Sequence, residues 1–336
     1  PFFYITNFDP MASNYFNILI NVVNYVIIFY VTKKLFNNYL AIFIVAIYTC
    51  SNYLIAVNQV PWNVTAMPGI SALIFYSLYR SVQGHCKWIF VAWTLSGLFF
   101  HLHFTAIFLP VINLLSLLVA KDKRKVIKYS ILSIPLYLIW FLPNIIYEIQ
   151  TNSDSGMIKN FFNDYYIGFH LRFMLHRLPD ALIQFSAILY LKFFKNIIVV
   201  FPLLFALFIF FEKEKKIKIF GYLILLWFIV PLIGFTLYGG PLSDYYFLFS
   251  VPMVLFVLAY LHQKLFQFRY KRIILIFILI FWSYYLFENT KQYWIKPVKG
   301  GLKEQKEEVK EKIKRGNRLE YAEGDIKSYL YRIYTK

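Results

Sequence analysis

The chain has 336 residues, 60% of them hydrophobic, 21% aromatic and only 15% charged. A soluble globular domain carries about a quarter charged residues, so that class is excluded and a chain that crosses a bilayer several times is expected. The formal net charge of +18 would suggest nucleic acid in a soluble protein; here it belongs to basic loops beside a membrane, and no nucleic-acid partner is expected.

The chain opens with "PFFYI" at Pro1, with no signal-peptide pattern before it. The expectation is that the natural N-terminus lies upstream. Apolar runs long enough to be spans, or broken and tilted pieces of spans, then follow at 14–32, 38–56, 69–83, 88–102, 104–120, 127–147, 196–211, 219–238, 245–262 and 273–288. The predicted fold class is an all-α polytopic membrane protein of about ten transmembrane helices.

The loops between these runs alternate in charge. Lys33 and Lys34 follow the first run, and Arg80 and Lys87 lie between the third and fourth. "KDKRKVIK" (121–128) follows the fifth and "EKEKKIK" (212–218) the seventh. Lys264, Arg269, Lys271 and Arg272 follow the ninth. The loops 57–68 and 239–244 contain neither Lys nor Arg. The positive-inside rule therefore predicts the basic loops in the cytoplasm and the uncharged ones outside. The segment 148–195 falls outside as well and reads as an interfacial helix. The tail 289–336 is a small extracytoplasmic segment, separate from the membrane domain 1–288. Its "LKEQKEEVKEKIKR" predicts a solvated helix.

The polar residues of the outer loops are the candidate site. "GLFFHLHFTAIFLP" (97–110) places His101 and His103 at the turn between two apolar runs. A polar ring at membrane depth needs a partner or water. His103 reads either as the wall of an outer cavity, making a charge-assisted hydrogen bond to a ligand, or as a solvated helix end. On a helix His101 would sit about 200° around the axis from it and is expected to be structural. In "NQVPWNVTAMP" (58–68), Trp62 and Asn63 fit stacking on a sugar and hydrogen bonding to it, and equally an aromatic belt and a helix cap. Glu148 in "FLPNIIYEIQ" and the Tyr245–Tyr246 pair in "SDYYFLFS" also fall at outer ends. Arg172, His176 and Arg177 cluster on one face of the interfacial helix. Their charge suits a lipid phosphate, or anionic head groups in general.

No Walker, HExxH, GxSxG or dinucleotide-binding pattern occurs, and Cys50 and Cys86 have no metal-site spacing. No metal site is expected, and the cofactor stays open. Charges are nearly absent from span centres, which weakens a transporter reading.

The set "PFFYI", "VPWNVTAMP", "GLFFHLHFTAIFLP", "LPNIIYEI" and "SDYYFLFSVPMVLF", in this order, resembles the bacterial membrane glycosyltransferases of the GT-C superfamily. These include the protein mannosyltransferases and aminoarabinose transferases. The resemblance implies membrane helices around an outward-facing cavity, a polyprenyl-phosphate sugar donor, and an inverting transfer to a lipid, glycan or protein acceptor of the cell envelope. It places His103, Trp62, Asn63, Glu148, Tyr245 and Tyr246 at the family's motif positions. His101, Phe104 and Val64 depart from those motifs. The family's catalytic Asp is expected upstream of Pro1. The function expected is a glycosyltransferase of the plasma membrane, embedded in membrane lipids. A flippase or transporter of a polysaccharide or lipid-linked intermediate, or an inactive fragment, is the alternative.

Overall fold

The computed structural model describes residues 12–58, 62–151, 211–240, 242–267, 271–295 and 302–315, with isolated positions 175, 176, 179, 205, 208 and 209. These residues are helical, and no strand occurs among them. Helix α1 (Ala12–Leu35) runs antiparallel to α2 (Asn38–Cys50), with Asn37 capping the turn by accepting the Leu40 N–H at 2.9 Å. α3 is Asn52–Asn58, and a short 3-10 turn (Asn63–Ala66) leads into α4 (Met67–Val82). α5 (Trp88–Phe100) ends at the histidine turn. A 3-10 turn (Phe104–Ile107) then opens α6 (Phe108–Ser116). α7 (Lys123–Leu138) and α8 (Leu142–Thr151) follow. After the basic stretch come α9 (Lys215–Thr236), a 3-10 segment (Asp244–Ser250), α10 (Val251–Leu265), α11 (Lys271–Ile295) and α12 (Leu302–Lys314).

Four helical stretches among the described residues are long and apolar enough to cross a membrane: Ala12–Leu35, Lys123–Tyr147, Lys215–Thr236 and Tyr245–Leu265. The predicted span 38–56 is instead two helices, α2 and α3, bent by 65°. The chain is extended at Ser51 (φ −69°, ψ 120°), which ends α2. The Ser51 carbonyl then accepts the Ile55 N–H at 2.8 Å to start α3. An apolar run cannot report such a break, because the lost helical hydrogen bonds are recovered by partners elsewhere.

The helices are inside out relative to soluble ones. α1 turns Asn17, Asn21 and Asn24 inward, while Ile18, Leu19, Val22, Val23 and Val26 face outward. α7 exposes Ile127, Ile131 and Leu132, and α11 exposes Ile276, Phe277 and Ile280. In water such faces would carry charge; in hydrocarbon they cost nothing, and the core is left to packing and polar contacts.

That core sits between α4 and its neighbours. Phe75 of α4 packs against Phe220 and Trp227 of α9 and Phe256 of α10, with ring centroids 5.4–5.9 Å apart. Trp227 of α9 donates to the Phe249 carbonyl at 3.2 Å, which fixes the 3-10 segment carrying the tyrosine pair. α5 and α7 dock closely. Trp93 donates to Ser130 Oγ at 2.7 Å, and Gly97 leaves no room for a Cβ, which would lie 2.6 Å from the Tyr137 carbonyl oxygen.

The predicted run 196–211 falls mostly outside the described residues, as does most of the interfacial segment 148–195. α12 carries the charge pattern expected of the tail. Lys312 pairs with Glu308 at 2.7 Å and Arg315 with Glu311, while Val309 is buried.

Candidate functional site

Three turns meet at one end of the helix assembly. The first is the 3-10 turn after Trp62, the second the break between α5 and α6, and the third the 3-10 segment before α10. Each begins with an extended residue: Trp62 (ψ 152°), His103 (φ −165°, ψ 148°) and Ser243 (ψ 147°). Extended backbone at these points breaks the helix and turns the next side chains toward the shared space.

His103 lies at the centre. Its ring is 5.6 Å from Tyr245, 5.1 Å from Tyr246 and 4.3 Å from Phe104, centroid to centroid. Trp62 stands edge-on to Tyr245 at 5.4 Å, with 45% of its surface exposed. The structure therefore brings together Trp62, His103, Tyr245 and Tyr246 from positions far apart in the chain. Asn63 donates to the Leu102 carbonyl and accepts the Val64 N–H at 3.1 Å. It ties its own loop to the histidine turn.

The two histidines part company. His101 closes α5 and bonds through Nε2 to the Trp140 carbonyl, on the α7 side. His103 faces the tyrosines. Its Nδ1 accepts from the Thr105 backbone N–H at 3.3 Å and lies 3.1 Å from Thr105 Oγ1. With Nδ1 accepting, the proton of a neutral ring is assigned to Nε2. Burial pushes the His103 imidazole down to about 4. At neutral pH it is uncharged, so a charge-assisted contact from the free protein is replaced by a neutral Nε2–H donor.

Two contributors were not singled out from the sequence. Tyr238, at the end of α9, stacks on Phe104 at 5.9 Å and meets Tyr246 at 6.2 Å. An apolar groove of about 440 Å³ runs between α6 and α9, lined by Phe104, Phe108, Val111, Ile229, Ile233 and Tyr238 among others. Phe104 and Tyr238 thus belong to both groove and cluster. The close approach of α9 to α6 relies on Gly234, where a Cβ would lie 2.1 Å from Phe108. In the sequence, groove residues cannot be told from any other lipid-facing ones.

Glu148 lies on α8, and its side chain is outside the described positions; so is that of Asp244. Arg172 and Arg177 are outside the described residues, and His176 is exposed. No cluster of three or more metal-ligating side chains occurs among the described residues.

The model of the dolichyl-phosphate-mannose-protein mannosyltransferase family matches residues 2–147. This mannosyltransferase family is of the GT-C type. The match covers Trp62, Asn63 and both histidines, and stops before the tyrosine pair. Together with the apolar helices it supports a multi-pass membrane glycosyltransferase. No curated protein and no solved structure matches the chain significantly.

Proposed function

We propose that the protein transfers a sugar from a polyprenyl-phosphate donor to a cell-envelope acceptor at the outer face of the plasma membrane, with inversion at the anomeric carbon. The observation that carries this reading is the meeting of exposed Trp62 with half-buried Tyr245 and a neutral imidazole beside an apolar groove. Each part suits one part of such a donor. The groove takes the hydrocarbon chain, which gains roughly 0.8 kcal/mol per buried methylene. The face of Trp62 takes the apolar side of a pyranose. His103 Nε2–H and the tyrosine hydroxyls donate to sugar or phosphate oxygens.

In the transfer, the acceptor oxygen attacks the anomeric carbon as the bond to the phosphate oxygen breaks. The polyprenyl phosphate leaves with the electron pair, and the acceptor proton goes to a carboxylate base. Among the described side chains of the cluster none is acidic, so the base is assigned outside them. Arg172 and Arg177 are proposed to hold the lipid phosphate, where a bidentate guanidinium would stabilise the leaving group. The finer topology, with about ten spans and an external tail, belongs to the same proposal.

The test is incorporation of labelled sugar from a polyprenyl-phosphate donor by membranes with and without the protein. Transfer that depends on the protein and drops in Trp62→Ala and Tyr245→Ala supports the reading. Equal incorporation in both membranes overturns it.

A further inference from the structure

The helix α1 carries Asn14, Asn17, Asn21 and Asn24 at spacings that place them on one face. Asn17, Asn21 and Asn24 are only 5%, 7% and 1% exposed. A span needs no amides, and burying one is costly unless it is hydrogen-bonded. Asn17 and Asn24 find their partners across on a neighbouring stretch of chain, while Asn21 Nδ2 donates chiefly to the Asn17 carbonyl of its own helix at 3.0 Å. Asn17 Nδ2 donates to the Asn58 carbonyl at 2.6 Å, and Asn21 Nδ2 reaches the same oxygen at 3.5 Å. Asn24 makes a two-way contact. Its Nδ2 donates to the Thr65 carbonyl at 2.7 Å, and its Oδ1 accepts the Gly69 N–H at 3.1 Å.

Asn58 ends α3, Thr65 lies in the 3-10 turn and Gly69 in the first turn of α4, so these bonds hold the chain on either side of Trp62 and Asn63. They replace helical hydrogen bonds that the chain gives up there. The fit at Gly69 is tight: a Cβ would lie 2.2 Å from Asn24 Oδ1. The loop's free edge meets the rest of the site through Asn63 on Leu102 and Trp62 on Tyr245.

We propose that this asparagine ladder is a positioning device. Asn24, backed by Asn17 on Asn58, sets the position of the stretch from Trp62 to Gly69, and thereby where Trp62 meets Tyr245 and how well the site holds its donor sugar. The kinetic part of this inference rests on the transfer activity proposed above; the structural part does not.

Two variants and two readouts test it. Asn24→Ala removes both bonds. Gly69→Ala pushes the amide out of its seat while leaving Asn24 in place. For the first readout, Trp62→Cys is introduced in a Cys50→Ser, Cys86→Ser background and its labelling rate with an impermeant thiol reagent is measured in membranes. Both variants should raise that rate several-fold. For the second, with Trp62 intact, each should raise the donor KM about tenfold, the effect of one or two buried hydrogen bonds, with a smaller change in kcat. Adding Gly69→Ala to Asn24→Ala should do little more, because the clashing amide is already gone. Parent-like labelling in both variants overturns the inference, and so does altered labelling with an unchanged donor KM. If Asn24→Ala fails to accumulate in membranes, Gly69→Ala decides. If the parent transfers no sugar, the proposed function falls and labelling alone decides the ladder's structural role.

Discussion

Replacing His103 separates its two jobs, because each ring nitrogen does one of them. Nδ1 accepts the Thr105 N–H and caps the 3-10 turn. Nε2–H is the donor available to a ligand. His103→Asn keeps a capping oxygen near the position of Nδ1, but its amide donor ends short of the position of Nε2. His103→Ala loses both. Losing a cap costs about 1 kcal/mol of stability, so the Ala variant should unfold at lower temperature and the Asn variant close to the parent. Losing a neutral hydrogen bond costs about 0.5–1.5 kcal/mol, or roughly 2- to 13-fold in transfer, and both variants should show it. The assays are thermal unfolding in detergent and labelled-sugar transfer at matched membrane levels. The sign of the pH effect follows from the ring's depressed affinity for protons, about 4 against the usual 6.5. The unfolded chain binds the proton more readily, so the parent's stability is complete above pH 6.5 and declines as pH falls toward 4, by at most about 3 kcal/mol. His103→Asn should flatten that part of the profile. A parent whose stability does not change between pH 6.5 and 4, or an Asn variant with full transfer activity, would refute this account of His103.

Gly97→Ala should destabilise the α5–α7 contact by about 1–3 kcal/mol, since the new methyl meets backbone at Tyr137 as well as the Trp140 ring; unchanged thermal unfolding would show that the two helices can separate without cost. Cysteines placed at Lys123 and Lys215 should be shielded from an impermeant thiol reagent in intact cells, while one at Ser243 labels; the opposite pattern reverses the orientation. Arg172→Ala should raise the KM for the lipid donor and leave acceptor use unaltered; a change confined to the acceptor would remove Arg172 from the phosphate site.

The all-α membrane class and the spans at 14–32, 127–147, 219–238 and 245–262 were legible in the sequence because they depend on the length of apolar runs, a property of the chain taken in one dimension. The loops bearing Trp62, His103 and Tyr245 could be brought to one side by charge alternation alone, since that rule needs only loop composition. What charge alternation cannot do is say which of those residues touch. Tertiary docking decided that His103 meets Tyr245 and Tyr246 while His101 turns to Trp140. It also decided that Tyr238 shares the cluster and that Asn63 joins two loops. The asparagines of α1 show the division clearly. Their spacing is visible in the sequence and marks one polar face of a span. Their partners, Asn58, Thr65 and Gly69, are set by how α1 lies against α3 and α4. The same holds for the charge state of His103, because its desolvation comes from neighbours that only the packed helices supply.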